Sequence, residues 1–291
     1  MKQMGSPDQV QRMTAVLRTS GKRVGLVPTM GCFHEGHLSL IRAARQETDV
    51  VVVSLFVNPM QFGPAEDFEK YPRDIQRDAQ LATGAGGDIL WCPEPGDMCP
   101  ADFSTYVEET DLSRVLCGAS RPGHFRGVAT VVLKLLNVVR PHRAYFGMKD
   151  YQQALIVRRM CRDLNLDVEI VQCPTVREED GLAMSSRNMY LNSRERAAAL
   201  CLSRALADAK LKVDRGERDT QRLRNDIVQS LRGEPLIDVE YVEFRDAESL
   251  KSVDLVEWPT VIAVAARVGS TRLIDNVVVM NETCSDWYSP A

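Results

Sequence analysis

The run Val50-Val51-Val52-Val53-Ser54-Leu55-Phe56-Val57 limits the fold more than any other feature. It is β-branched and apolar without alternation, which suits a strand covered on both faces, the environment of a parallel sheet. Parallel strands need crossover connections, and the flanking pattern supplies them. Residues 24–27, 88–91, 143–146 and 168–171 read as further short strands. Helix-like patterns lie between them: Leu38, Ile41 and Ala44 on one face, then residues 74–81, 128–139 and 152–164. This alternation predicts an α/β fold, a Rossmann-like doubly wound parallel sheet with right-handed crossovers. Near Pro174 the pattern changes. Residues 193–213 and 220–231 read as helices, with Ser193 as an N-cap, and residues 237–244, 261–268 and 273–279 as strands. The expected organisation is a larger domain at 1–175 and a smaller α+β domain at 176–291.

Composition narrows the function classes. The chain has 291 residues, 44% hydrophobic and 26% charged, with a net charge of -4. That balance argues against a basic nucleic-acid surface. The 8 cysteines are scattered, without a CxxC pair, which fits free thiols in a reducing compartment better than a disulfide framework or a zinc cluster. Residues 1–10 lack the apolar core of a signal peptide, and residues 50–57 are too few to span a bilayer. The expected location is the cytoplasm, with no membrane and no nucleic-acid partner.

The densest chemistry is Pro28-Thr29-Met30-Gly31-Cys32-Phe33-His34-Glu35-Gly36-His37, between the first strand and the first helix. In open α/β sheets ligands bind at the carboxyl ends of strands. A helix starting near His37 offers free N–H groups and a positive dipole end to an anion, and Gly36 lets a phosphate come close. Two imidazoles there can donate hydrogen bonds to charge that grows on a phosphate. Two other readings stay open: satisfied structural histidines, or a zinc site of Cys32, His34 and His37. The histidines are three apart, not the four of the helical zinc-protease pattern. Further on, Gly147-Met148-Lys149-Asp150 follows a strand, with Gln153 one turn later. Lys149 is a compact charge for phosphate or carboxylate, and Asp150 can accept from ribose hydroxyls. Met184-Ser185-Ser186-Arg187-Asn188 follows the domain junction and combines hydroxyls with a guanidinium, a set suited to phosphate oxygens. A solvated helix end and a polar linker are the plain alternatives for these two segments.

The turn resembles the H-x-G-H signature of the nucleotidyltransferase superfamily. Across nearly the whole chain the sequence is similar to the pantoate–β-alanine ligase (pantothenate synthetase) family. The runs that carry the likeness are 27–37, 56–63, 71–73, 121–128, 140–153, 174–177 and 181–191. The resemblance implies ATP-dependent ligation through a pantoyl adenylate, with Mg2+ on the nucleotide and a homodimeric protein. It implies His37, His34 and Lys149 as catalytic groups, with His37 the proton donor. ATP would be held by Met30, Gly31, Cys32, Phe33, His34, Glu35, Gly36 and His37. Gly147, Met148, Lys149, Asp150, Val176, Met184, Ser185, Ser186 and Arg187 would complete that set. Pantoate would be held by Gln61, Gln153, Met30 and Asn58, with Gln61 also near β-alanine. Asp78 matches an acidic position near the metal or β-alanine, and the second domain would close over the site. One departure stands out: the family's usual Phe-Gly-Glu-Lys-Asp has Met148 in place of Glu. The competing readings are another adenylate-forming nucleotidyltransferase and a non-catalytic nucleotide-binding module.

Overall fold

A computed structural model describes residues 1–64 and 66–281. The chain divides into two compact units. The first comprises Met1–Arg114, Gly118–Met148 and Gln152–Pro174. The second comprises Val115–Cys117, Lys149–Tyr151 and the chain from Thr175.

In the first unit, β1 (Lys2–Met4) leads into α1 (Pro7–Thr19), β2 (Val24–Thr29) and α2 (Glu35–Glu47). Then come β3 (Val50–Leu55), α3 (Ile75–Ala85), β4 (Ile89–Trp91) and the one-turn helix α4 (Pro95–Met98). The short α5 (Cys117–Ser120) precedes α6 (His124–Val139), β5 (Arg143–Gly147), α7 (Tyr151–Asp163) and β6 (Glu169–Cys173). The strands form one sheet in the order β1-β4-β3-β2-β5-β6, all parallel. Residues 51–56 are all buried, as the unbroken apolar run requires. Val27, Ile41, Val51, Val53, Ala82 and Leu90 share one core under α2 and α3. The polar strand β1 was not expected from sequence; only Met4 of its three residues is buried, and β4 recruits it at the sheet edge.

The order places the switch point between β2 and β5. From β2 the chain crosses to β3, and from β5 it crosses the other way to β6. The pairing of β2 with β5 lasts only Gly25↔Arg143 and Leu26↔Ala144, whereas β2 and β3 stay paired to Thr29↔Leu55. The strands thus part at their carboxyl ends, where open α/β sheets hold ligands.

The second unit packs α8 (Ser193–Asp214) and α9 (Thr220–Arg232) on an antiparallel sheet of β7 (Ile237–Asp246), β8 (Thr260–Val268) and β9 (Thr271–Val279), with β8 central. Leu202, Leu206, Leu223, Ile227, Phe244 and Ile262 form its core. The N-cap of α8 is Asn192, one residue before the expected Ser193. Asn192 Oδ1 accepts from Arg194 N and Glu195 N, and Glu195 returns a carboxylate to Asn192 N, a reciprocal box that Ser193 has no Glu three residues on to form.

Candidate active site

The turn after β2 is built by its neighbours. Thr29 donates its hydroxyl to Ser54 O on β3 at 2.7 Å and accepts from Gly31 N at 3.3 Å. Gly31 (φ 86°) and Cys32 (φ 53°) are both left-handed. Glycine adopts that conformation freely; a cysteine does so at a cost. The next two amides converge on one carboxylate: Cys32 N and Phe33 N donate to Asp78 at 2.7 and 2.8 Å. Asp78 comes from the first turn of α3 and is fully buried. Burial raises its pKa above the ordinary value, outweighing the two amides and Arg77, which favour the anion.

The helix then starts at Glu35, capped by His34. His34 Nδ1 accepts from Gly36 N at 3.2 Å, and His37 Nδ1 accepts from His34 N at 3.4 Å. Two imidazoles thus take the places that Ser and Glu hold in an ordinary capping box. A ring nitrogen that accepts an N–H carries no proton of its own, so each neutral ring bears its proton on Nε2. The rings lie 4.1 Å apart, centroid to centroid. The arrangement yields two paired N–H donors at the positive end of a helix, fit to meet charge developing on a phosphate. Glu35 is turned along α2, where its ion pair with Arg42 holds its carboxyl below the usual range.

A second cluster stands on the turn after β3. Asn58 accepts from Met60 N at 3.0 Å and donates to Gln61 Oε1 at 3.0 Å and to Gly127 O at 3.1 Å. Gln61 Nε2 donates to Met30 Sδ at 3.0 Å, so Met30, Asn58 and Gln61 are brought together. Helix α6 comes so close that a Cβ on Gly127 would stand 2.2 Å from Met60 O. Gln61 O accepts from His124 Nδ1 at 2.8 Å and Arg121 Nη2 at 3.1 Å. Arg121 is itself paired with Glu66 at 2.6 and 2.7 Å. Sequence reasoning gave Arg121, Glu66 and Gly127 no role; the Arg-Pro-Gly-His run at 121–124 was the available signal. Gln153 stands on α7, half-buried.

The second unit carries the remaining candidates apart from Gly147 and Met148, which belong to the first. Lys149 lies in a single 3-10 turn, Met148–Asp150, with its carbonyl accepting from Asn276 Nδ2 at 2.9 Å. Met148 is buried, so the departure from the family's Glu sits at an apolar position, while Asp150 is exposed. Met184 N donates to Val176 O at 3.0 Å and Glu178 N to Leu182 O at 2.8 Å, closing a hairpin with Gly181 left-handed at its tip. Arg177 anchors the hairpin through two bonds to Asp275, at 2.7 and 3.0 Å. Ser185 then caps a short 3-10 helix, Ser186–Tyr190, by accepting from Arg187 N at 3.3 Å. Ser186 is buried and Arg187 half-buried. Lys149, Ser185, Asn188 and Asp275 line one recess of this unit.

Among the described residues, no group of three or more His, Cys, Asp or Glu side chains is placed to hold a metal ion. The oxygens of Asp78 both face amide donors, a poor match for a cation. Cys32, Cys92, Cys99, Cys117, Cys161, Cys173 and Cys201 form no disulfide, and burial raises the pKa of Cys92, Cys161 and Cys173 to about 11. Cys284 lies outside the described residues. Among those residues no helix is long and apolar enough to cross a membrane.

The model of the pantoate–β-alanine ligase family matches residues 2–278. A pantothenate synthetase of Thermotoga petrophila is 52% identical over 279 residues, covering 96% of this chain and 100% of the relative. Among solved structures, a pantothenate synthetase from Thermus thermophilus superposes with a TM-score of 0.91 at 43% identity, covering 97% of this chain and 100% of that one. Pantoate–β-alanine ligase from Francisella tularensis, solved with a β,γ-ATP compound and β-alanine, gives 0.78 at 33% identity, covering 96% and 97%.

Proposed function

The chain belongs to the pantoate–β-alanine ligase family, and on that premise we propose that it makes pantothenate from pantoate, β-alanine and ATP. A pantoate carboxylate oxygen attacks the α-phosphorus of ATP; the bond to the β,γ-phosphates breaks and pyrophosphate leaves. The amine of β-alanine then attacks the acyl carbon of the pantoyl adenylate, loses a proton, and AMP departs. The observation that carries this reading is the histidine cap. Its two Nε2–H groups supply donors for the α-phosphate as charge shifts to the leaving oxygen, with His37 delivering the proton.

The rest of the assignment follows the same logic. Met30, Asn58 and Gln61, with Gln153, hold pantoate: a thioether wall for its dimethyl carbon and amides for its hydroxyls and carboxylate. Gln61 also receives β-alanine. The backbone from Gly31 to Gly36 approaches the phosphates, while Gly147 and Asp150 hold the ribose. Val176 and Met184 flank the adenine, and Lys149, Ser185, Ser186 and Arg187 bind phosphate oxygens. The residues assigned to pantoate thus all belong to the first unit. Magnesium arrives with ATP as part of the substrate, in keeping with its preference for phosphate oxygens and water. The protein works in the cytoplasm as a homodimer, and light scattering on the purified protein reads the latter directly.

The test is exchange of labelled pyrophosphate into ATP. Exchange that requires pantoate and proceeds without β-alanine supports the adenylate. Exchange driven by an amino acid instead, or ATP binding without any exchange, overturns it.

A further inference from the structure

Asp78 is the one fully buried carboxylate of α3, on the same face as the buried Ala79, Ala82 and Ala85. A carboxylate among alanines is expensive to bury, so its partners define its use. They are two consecutive backbone amides, Cys32 N and Phe33 N, with the Arg77 guanidinium 3.8 Å from one oxygen. Those amides lie in a turn whose Gly31 and Cys32 both have positive φ, and together they make a small concave site for an anion. Here the anion is the protein's own. The Oδ2 atom that accepts from Cys32 N would also lie 3.1 Å from a Cβ placed on Gly31, so the turn is closed tightly around it. His34 begins the helix directly after Phe33.

We propose that Asp78 is a positioning residue: its carboxylate holds the strained Gly31–Cys32 turn and so fixes where His34 and His37 present their Nε2–H groups. It touches neither substrate nor metal. The inference rests on the proposed adenylation by His34 and His37. It differs from a metal role for Asp78, in which the oxygens face a cation instead of N–H donors. A carboxylate that binds two amides has no counterpart in an amide side chain, which can turn only its oxygen toward one of them. Asp78→Asn therefore loosens the turn without removing any atom from the pocket. A displacement of about 1 Å in a catalytic group lowers turnover by on the order of 100-fold.

The experiment measures pantoate-dependent pyrophosphate exchange for wild type, Asp78→Asn, and Asp78→Asn combined with Cys32→Gly. Urea unfolding and a Mg2+ titration accompany each. Expected are a fall in kcat of roughly 10- to 100-fold for Asp78→Asn, a pantoate KM within about threefold, and an unchanged half-saturating Mg2+ concentration. The added glycine takes the left-handed conformation without strain, so the double variant recovers at least about threefold of the lost turnover. If Asp78→Asn alone does not fold, the double variant is compared with wild type: an active double variant supports the positioning role, and a folded, inactive one overturns it. Turnover of Asp78→Asn within twofold of wild type also overturns it. So does a raised Mg2+ requirement that the glycine does not relieve, since that is the behaviour of a metal ligand. Absence of exchange in the wild type would instead strike the adenylation reading.

Discussion

Two buried carboxylates hold the two candidate loops, by different means. Asp78 grips backbone amides directly, at 2.7 and 2.8 Å, inside the turn that carries the histidines. Asp275, 4% exposed, grips the guanidinium of Arg177, and so reaches the 176–184 hairpin through a long side chain that is a third exposed. A carboxylate on two amides fixes backbone dihedrals. A carboxylate on a guanidinium fixes where a hairpin is tethered and leaves its backbone set by its own cross-strand bonds. The difference matches the tasks proposed for the two loops. Groups that act on developing charge gain from being rigid before the reaction, whereas a loop that grips phosphate has only to be held within reach.

The most severe way to probe this contrast is to remove the chemistry and leave the first grip intact. His37→Ala should lower kcat by about 100-fold or more while the fold persists, because the bond it loses, at 3.4 Å, is a long one. Single-turnover AMP formation and thermal melting together report the two effects. Asp275→Ala breaks the second grip. It should destabilise the fold by about 1–3 kcal/mol, since Arg177 loses its partner but can turn toward water, and it should raise the KM for ATP more than it lowers kcat. Urea unfolding with steady-state kinetics would contradict the contrast if kcat fell as far as in His37→Ala.

A pH profile sharpens it further. The pKa of Asp78 is raised above its ordinary 3.8, so the folded protein holds this proton more tightly than the unfolded chain does. The stability its protonated form contributes is complete below about 3.8 and is lost as the pH rises through the raised value. Acidification therefore relieves the fold at this position while weakening the turn. Pantoate-dependent exchange should decline on the acid side in a range where near-ultraviolet circular dichroism is unchanged. Smallest of all is Cys32→Ser, which keeps the left-handed residue, both amides and a similar volume. Most activity should remain, measured under the same exchange conditions.

Much of this was legible in the sequence, for identifiable reasons. The unbroken valine run could only be an inner parallel strand, and the helices of the second unit declared themselves by periodicity. The cap of α8 was displaced by one residue, because Asn192 with Glu195 makes the better box. Strand β1 stayed hidden: three residues, two of them polar, carry no period, and the strand exists because β4 offers an open edge. At the site, the Gly-containing turn and its histidines were readable as an anion-binding start of a helix. The direction of each imidazole was not, since it depends on which ring nitrogen the backbone captures. Asp78 was noticed as an acid, but its partners lie about 45 positions earlier in the chain. The clue was its place on the apolar stripe of α3, where a carboxylate has no reason to be unless something buried needs it.

The crossed histidine cap serves the helix and the reaction with the same two bonds. In the capped first turn of α2 both imidazoles give a lone pair to the backbone, and a ring that flips loses that bond. The bonds that close the cap are therefore the same ones that aim the two proton donors. Where this turn frays, neither imidazole is held in its place.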